Sequence, residues 1–307
     1  MAENFDPTDE EACGKQAVDA LKRMLSLQEL SEESGEQRFT AQTLNRESPR
    51  IYGGQVLAQA IMAASHAAPV DRPIHSIHGY FLRPGDIDQE LTLGVQHLND
   101  GRSFSTRRVQ AYQDQQPIFS AIASFQEAAK GPEHSSPMPQ GLPSPESLPK
   151  VSDLVGHVPL PIARAISYER PFDLRHVEEP LWLSADPDKS PTTSVWFKTF
   201  DALPDDPTLH KAAIAYASDY LPVEPGLRAH GKHWLEQGMK VASLDHAMWF
   251  HRPARADEWL LYVLDSPSAQ DARSLATGKI FTAEGDHVAT VAQETMLRLP
   301  EYREVIL

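Results

Sequence analysis

Hydrophobic residues recur at helical spacing in two stretches of the first half of the chain, and strand-like stretches surround the second one. Residues 16–30 carry apolar positions three and four apart with charges between them, which predicts a short amphipathic helix. Residues 56–69 are apolar on nearly every side, which predicts a buried helix. A helix among antiparallel strands indicates an α+β fold. The strands are predicted at residues 37–44, 74–82, 90–98, 103–113 and 117–126.

The same order of elements returns in the second half of the chain. Asp206 and Pro207 form a helix start, and the helix is predicted over residues 209–221. The accompanying strands are predicted at residues 193–200, 241–251, 258–265, 272–281 and 287–299.

Local sequence repeats along with the order of elements. Phe250-His251-Arg252-Pro253 matches Phe81-Leu82-Arg83-Pro84 at an offset of 169 residues, and residues 273–277 match residues 102–106 at an offset of 171. These matches predict an internal duplication, and two copies are better interpreted as a fused dimer than as a solenoid. We expect the second copy to keep the chemistry and the first copy to keep only the fold.

A proline-rich segment separates the two copies. Residues 132–161 contain eight prolines, a density that argues against a central strand or helix. The predicted division is therefore a first unit at residues 16–127, a linker at residues 128–166 and a second unit at residues 167–300.

Charge and cysteine content exclude several classes of protein. The chain has 307 residues and a net charge of -15, which argues against a nucleic-acid partner, although a local basic pocket would still hold an anionic ligand. Cys13 is the single cysteine, so we expect neither a disulfide framework nor a thiolate metal site. No apolar run approaches the roughly 20 residues that span a bilayer. The acidic N-terminal stretch is unlike a targeting peptide, and the predicted location is cytoplasmic.

Polar residues with chemical potential concentrate in residues 240–253, KVASLDHAMWFHRP. If residues 241–251 form one regular strand, Ser243 and Asp245 face one side while His246 faces the other. His246 is then a hydrogen-bonded core histidine rather than a base. The chain contains no G-x-S-x-G elbow, which argues against a Ser-His-Asp hydrolase.

Histidine pairs in the chain do not predict a metal site. None has the spacing of two histidines and a carboxylate that helix-borne metal sites show. The pairs considered are His246 with His251, His230 with His233, and His75 with His78.

Two further polar residues stand in apolar surroundings. Asp219 lies beside the alanine-rich stripe of its predicted helix, so its carboxylate is either partly desolvated and able to activate water, or simply solvated at the helix end. Gln293 shares one face of its predicted strand with apolar residues, and a buried amide needs partners or a ligand. An ordinary structural glutamine is the alternative for this position.

Six motifs together resemble one family. YGGQVLAQA, HGYFLRPGD, DGRSFSTRRVQAYQ, YASDY, SLDHAMWFHRP and VAQETM occur in this order over about residues 20–299 and are similar to the acyl-CoA thioesterase II (TesB-type) family. The resemblance implies a double hotdog, in which two tandem units each wrap an antiparallel β-sheet around a central helix. This expectation agrees with the duplication.

The resemblance also implies a catalytic group and a reaction. Its aspartate, hydroxyl and glutamine fall on Asp219, Ser243 and Gln293. They would hold a water that attacks a fatty acyl-CoA thioester directly, with Asp219 as the base, without cofactor or metal. Amides of Gly53 and Gly54 are oxyanion candidates by their chemistry alone. A homodimer or homotetramer is expected, without membrane insertion.

Two other functions are alternatives to hydrolysis. A non-catalytic acyl-CoA-binding hotdog module would share the fold and the ligand. A hotdog hydratase would carry a paired Asp and His on its own motif, which this chain lacks. The peroxisomal relatives end in SKL and this chain ends in EVIL, so their location is not carried over.

Overall fold

A computed structural model describes residues 9–44, 49–182 and 184–302. The first half of the chain forms two helices and six strands. In chain order they are α1 Glu10–Leu25, β1 Gln28–Glu29, β2 Gln37–Ala41, α2 Gly53–His66, β3 Ile74–Phe81, β4 Leu91–Asp100, β5 Phe104–Gln113 and β6 Gln116–Gln126.

The rest of the chain forms four helices and seven strands among the described residues. In chain order they are α3 Val151–Val155, α4 Pro161–Tyr168, β7 Phe172–His176, β8 Thr192–Thr199, α5 Pro207–Ser218, α6 Glu224–Ala229, β9 Lys240–Ser243, β10 Asp245–Phe250, β11 Leu260–Gln270, β12 Arg273–Thr282 and β13 His287–Arg298.

The first helix begins earlier and ends earlier than its apolar spacing predicts. The Asp9 carboxylate accepts hydrogen bonds from the Glu11 and Ala12 amides, so it caps a helix that starts at Glu10. The prediction of residues 16–30 was therefore wrong at both ends, and the expected unit boundary at residue 16 falls inside α1. The other predicted elements are present with shifts of a few residues at their ends, except the strand over residues 241–251, which is divided into β9 and β10.

The strands of the described residues join one antiparallel sheet, and the strand order of the first half mirrors that of the second half. The order is β1-β2-β4-β5-β6-β3-β10-β13-β12-β11-β8-β7, β9 pairs with β13 beside this path, and the two halves meet where β3 pairs with β10. His78 pairs with Ala247 at this junction, and these two positions are equivalent at the repeat offset of 169. The junction therefore has the pairing expected at the two-fold axis of a fused dimer, in agreement with the predicted duplication.

The helices α2 and α5 lie side by side against this sheet and run in opposite directions. The Tyr52 hydroxyl, at the start of α2, donates to the Tyr216 carbonyl near the end of α5. Every residue of α2 from Gly54 to Ala64 is buried. Each repeat thus buries its central helix, and the two helices form one continuous core with the inner face of the sheet.

The proline-rich segment is not free of helices, contrary to the sequence prediction. The helix α4 begins at Pro161, a first helical position where proline costs no hydrogen bond, and α3 begins at Val151, two residues after Pro149. The expected boundary after residue 166 falls inside α4. Val151, Val155 and Ile166 belong to the main hydrophobic core, so the segment packs onto both repeats.

Among the helices of the described residues, none is long and apolar enough to cross a membrane.

Candidate active site

One residue breaks the strand that the sequence predicts over residues 241–251. Ser243 of β9 pairs with Thr295 of β13, whereas Ala247 of β10 pairs with Ala292 of β13. The register therefore shifts by one residue around Leu244. A bulge of this kind turns a side chain to the other face. As a result Ser243 and His246 both point toward α5, and the expectation that they lie on opposite faces was wrong.

Three polar groups meet beside the end of α5. Asp219 is the C-cap residue of this helix. The Ser243 hydroxyl donates to Asp219 Oδ1 at 3.2 Å, and Gln293 Nε2 donates to Ser243 Oγ at 2.8 Å. The Gln293 side chain also hydrogen bonds to the Asp219 carboxylate. The structure therefore brings together the three residues that the family resemblance implies, from one helix end and two neighbouring strands.

The carboxylate of this group is set for proton transfer near neutral pH. Burial raises the pKa of Asp219 to about 6, while hydrogen bonds from Gln293, Ser243 and the Gly54 amide act in the opposite direction. A carboxyl group with this pKa is ionised at pH 7 yet is a stronger base than an exposed aspartate. Of the two alternatives for Asp219, the desolvated carboxylate is the one present.

The two glycines before α2 allow the helix to approach this carboxylate. A Cβ atom on Gly53 would stand 2.7 Å from Asp219 Oδ2, and one on Gly54 would stand 2.4 Å from the Tyr216 carbonyl oxygen. The Gly54 amide therefore serves Asp219, and the positive end of the α2 dipole points at the carboxylate. Gly53 is the helix-mouth amide that is left as an oxyanion candidate.

His246 is the buried, hydrogen-bonded histidine that the sequence predicts, and it fixes the orientation of the glutamine amide. Its Nδ1 lies 2.5 Å from Gln293 Oε1 and its Nε2 lies 3.0 Å from Ser218 Oγ. Burial lowers the pKa of His246 to about 4, so the ring is neutral at pH 7. Nδ1 must then carry the proton that Gln293 Oε1 accepts, and this directs the Gln293 NH₂ group toward Ser243 and Asp219.

An apolar cleft of about 510 Å³ opens at these groups, and we call it the Asp219 cleft. Asp219 and Ser243 line it together with Gly53, and Arg50 and Arg170 also contribute to its wall. Much of the apolar wall comes from the segment that the sequence analysis took as linker, namely Val155, Leu160, Ile162, Ala163 and Ile166. Asp219 and Ser243 thus lie in a cleft whose walls would shield a long apolar ligand from water.

Two other polar residues between positions 240 and 253 make their contacts outside the group of Asp219, Ser243 and Gln293. Asp245 Oδ1 accepts from the Glu294 amide at 2.6 Å, and His251 Nε2 contacts Thr290 Oγ1 at 2.8 Å on the exposed side of β13. Within the described ranges no three histidine, cysteine or acidic residues are grouped as a metal site requires.

Comparisons with known proteins agree with both halves of the fold. Residues 40–126 match the model of the acyl-CoA thioesterase N-terminal domain, and residues 175–296 match the acyl-CoA thioesterase model. Acyl-CoA thioesterase 2 of Haemophilus influenzae is 38% identical over 259 residues, which cover 82% of this chain and 89% of that protein. Human acyl-coenzyme A thioesterase 8 is 35% identical over 262 residues and 81% of each chain.

Solved structures extend the agreement to three dimensions. An acyl-CoA thioesterase II from Mycobacterium marinum superposes with a TM-score of 0.73 at 38% identity, covering 93% of this chain and 99% of that one. A hotdog-fold protein of unknown function from Alicyclobacillus acidocaldarius, 18% identical, also reaches 0.73, covers 92% of this chain and 98% of that one, and shows the fold alone. The double hotdog predicted from the motifs is therefore confirmed, and the chain belongs to the acyl-CoA thioesterase II (TesB-type) family.

Proposed function

We propose that this protein hydrolyses fatty acyl-CoA thioesters to a free fatty acid and CoA. The observation that carries the proposal is the meeting of a carboxylate, a hydroxyl and an amide beside a largely apolar cleft, through contacts of 3.2 and 2.8 Å. The names of the relatives, which are acyl-CoA thioesterases, support the same activity.

In the proposed mechanism the three groups hold one water molecule. Asp219 accepts a proton from this water as its oxygen attacks the thioester carbonyl carbon, and Ser243 and Gln293 orient it. Collapse of the tetrahedral intermediate breaks the C–S bond, and the sulfur leaves with a proton as CoA thiol. The reaction thus consumes one water and needs neither an acyl-enzyme intermediate nor a cofactor.

The negative charge that develops on the carbonyl oxygen needs a donor in a fixed position. The Gly53 amide lines the Asp219 cleft at the start of α2, and it is the candidate that we propose. A donor of this kind is worth on the order of 3 kcal/mol in comparable oxyanion holes.

The walls of the cleft suit the two parts of the substrate. Apolar side chains of α4, with Trp182 and Trp234, would contact the acyl chain. Arg50 and Arg170 line the same cleft, and guanidinium groups are well matched to the phosphates of CoA.

The test is release of CoA thiol from a medium-chain acyl-CoA by the Asp219→Asn variant. Loss of the base should lower kcat by about 10²- to 10⁴-fold. Asp245→Asn is the matched control, because Asp245 is a nearby, partly buried carboxylate whose contact is with a backbone amide. Asp219→Asn with wild-type activity would overturn the proposal, and tight binding without turnover by wild type would favour the acyl-CoA-binding module instead.

The proposal includes a cytoplasmic location and assembly as a homodimer or homotetramer. The chain has Cys13 as its single cysteine, buried, and this fits a reducing compartment. Light scattering of the purified protein would measure the assembly directly.

A further inference from the structure

A second cleft of about 1040 Å³ lies at the opposite ends of the central helices, and we call it the Lys211 cleft. The start of α5 lines it at Pro207, as the start of α2 lines the Asp219 cleft at Gly53. Ile74 lines it at the position equivalent to Ser243 at the repeat offset of 169. It is therefore the counterpart of the Asp219 cleft in the other repeat.

The hydrolytic groups are replaced in this counterpart. Ile74 offers no hydroxyl, and the inward-facing residues of β6 at the level of Gln293 are Ala123 and Phe125, which are buried and apolar. The cleft persists without these groups, with about twice the volume of the one that carries the candidate catalytic group.

A lysine without an acidic partner stands in the cleft. Lys211 Nζ donates to the Ile74 carbonyl at 2.7 Å and lies 5.5 Å from the centre of the Phe250 ring. It forms no ion pair with any carboxylate of the described residues, and burial lowers its pKa to about 8. Partly buried charges are normally paired, so this ammonium group is suited to an anion from outside the chain.

Neighbouring imidazoles add hydrogen-bond donors to the same place. Burial and, after it, the charge of Lys211 lower the pKa of His75, which puts the two groups within electrostatic reach. The Ala256 amide donates to His210 Nδ1 at 3.0 Å, so a neutral His210 ring carries its hydrogen on Nε2. Within the described part of the chain, Nε2 of His75 and Nε2 of His210 have no hydrogen-bond partner.

The walls of the cleft indicate what kind of anion it would take. Charges of both signs line it, with Glu127, Glu258 and Glu284 exposed and Lys198, Arg252 and Arg255 also present, so the apolar part of the wall decides. The walls include Phe250 and Leu260, which suit an apolar body behind a single charged head.

We propose that the Lys211 cleft binds the carboxylate of a fatty acid, with the ammonium group of Lys211 at the carboxylate and the acyl chain along the apolar wall. That this fatty acid is the product of the enzyme rests on the proposed function, whereas the site itself does not. The phosphates of CoA share the chemistry of an oxyanion and are the alternative source to be tested.

The experiment follows binding of dodecanoate labelled with ¹³C at the carboxyl carbon, by NMR and by calorimetry, to the full chain. Wild type should show a bound carboxylate signal that Lys211→Met removes, with at least a tenfold loss of affinity for that site. Lys211→Arg should retain the signal. Lys279→Met is the matched control, because Lys279 is an exposed lysine on β12 that lines neither cleft.

Two outcomes would overturn the inference. One is unchanged dodecanoate binding by Lys211→Met, with circular dichroism and thermal melting showing that the variant is folded. The other is loss of CoA binding, rather than dodecanoate binding, in the same variant, which would assign the site to phosphate. Binding is measured without turnover, so an inactive protein that still binds dodecanoate through Lys211 would contradict the proposed function and leave this inference standing.

Discussion

The two repeats share a fold and differ in what their equivalent positions offer to a ligand. In the second repeat Ser243 contacts Asp219 and Gln293, whereas in the first repeat the position of Ser243 holds Ile74, which is buried. The register shifts by one residue in both places, between Ile74 and Ser76 in the first repeat and around Leu244 in the second. The comparison teaches that the candidate activity depends on a few side chains, and that the fold tolerates their absence.

The largest contrast in activity should come from substituting the two equivalent positions, Ser243 and Ile74, one at a time. Ser243→Ala removes the hydroxyl that joins Asp219 to Gln293, and we expect kcat to fall about 100-fold with little change in stability. Ile74→Val should leave kcat within about twofold and lower the free energy of unfolding by about 1 kcal/mol, because one buried methylene is lost. Thioesterase assays and urea unfolding measure the two quantities. Equal losses of activity in the two variants would contradict the assignment of chemistry to one repeat.

A somewhat smaller effect is expected at His246, which acts through Gln293. His246→Leu leaves the buried Gln293 Oε1 without its donor, which costs about 1–3 kcal/mol and releases the orientation of the amide. We expect kcat to fall about 10- to 100-fold while KM changes little, because His246 does not line the Asp219 cleft.

The conservative variant separates positioning from packing at this site. His246→Asn keeps an N–H donor and should recover part of kcat, although it leaves a larger cavity than leucine does. If His246→Leu were as active as wild type, or if KM alone changed, the positioning role would be excluded.

The pH dependence of turnover should report the pKa of Asp219. The base must be ionised, so kcat/KM should fall as the pH decreases through about 6, and at pH 5 it should be about tenfold below its value at pH 8. Burial also raises the pKa of Asp245, so Asp245→Asn is the control and should keep the same midpoint. A midpoint near 4 in wild type would contradict a desolvated base.

The smallest effect concerns stability and has the opposite sign to the effect on activity. The folded chain keeps the Asp219 proton up to pH about 6, whereas the unfolded chain releases it near 3.8, so the folded state loses stability between about pH 4 and pH 6 and the loss is complete above pH 6. Asp219→Asn should therefore raise the free energy of unfolding by about 1–2 kcal/mol at pH 8.

The gain in the free energy of unfolding of Asp219→Asn should diminish as the pH falls. It should vanish below about pH 4, where Asp219 of wild type is protonated in both the folded and the unfolded state. Urea unfolding at pH 8 and pH 4 makes the comparison. A variant less stable than wild type at pH 8 would show that the hydrogen bonds to Asp219 outweigh its desolvation.

Repeated motifs were sufficient to predict the double hotdog and to place Asp219, Ser243 and Gln293 on three different elements. Strict alternation failed at Leu244, because a bulge depends on pairing with β13 that no local pattern records. The face to which His246 points was missed for the same reason. The helices α3 and α4 were missed because a high density of prolines argues against a helix, whereas α4 has Pro161 at its first position, where proline is favourable, and α3 fits between prolines.

The pairing of β3 with β10 has a consequence for how such a molecule can change. Two separate hotdog chains would have to find each other in solution, and every substitution would appear on both sides of their axis. Here both partners of the junction belong to one polypeptide, so their effective concentration is set by the connecting segment rather than by the amount of protein. Dilution does not separate the halves, and each can acquire substitutions that its partner never shares.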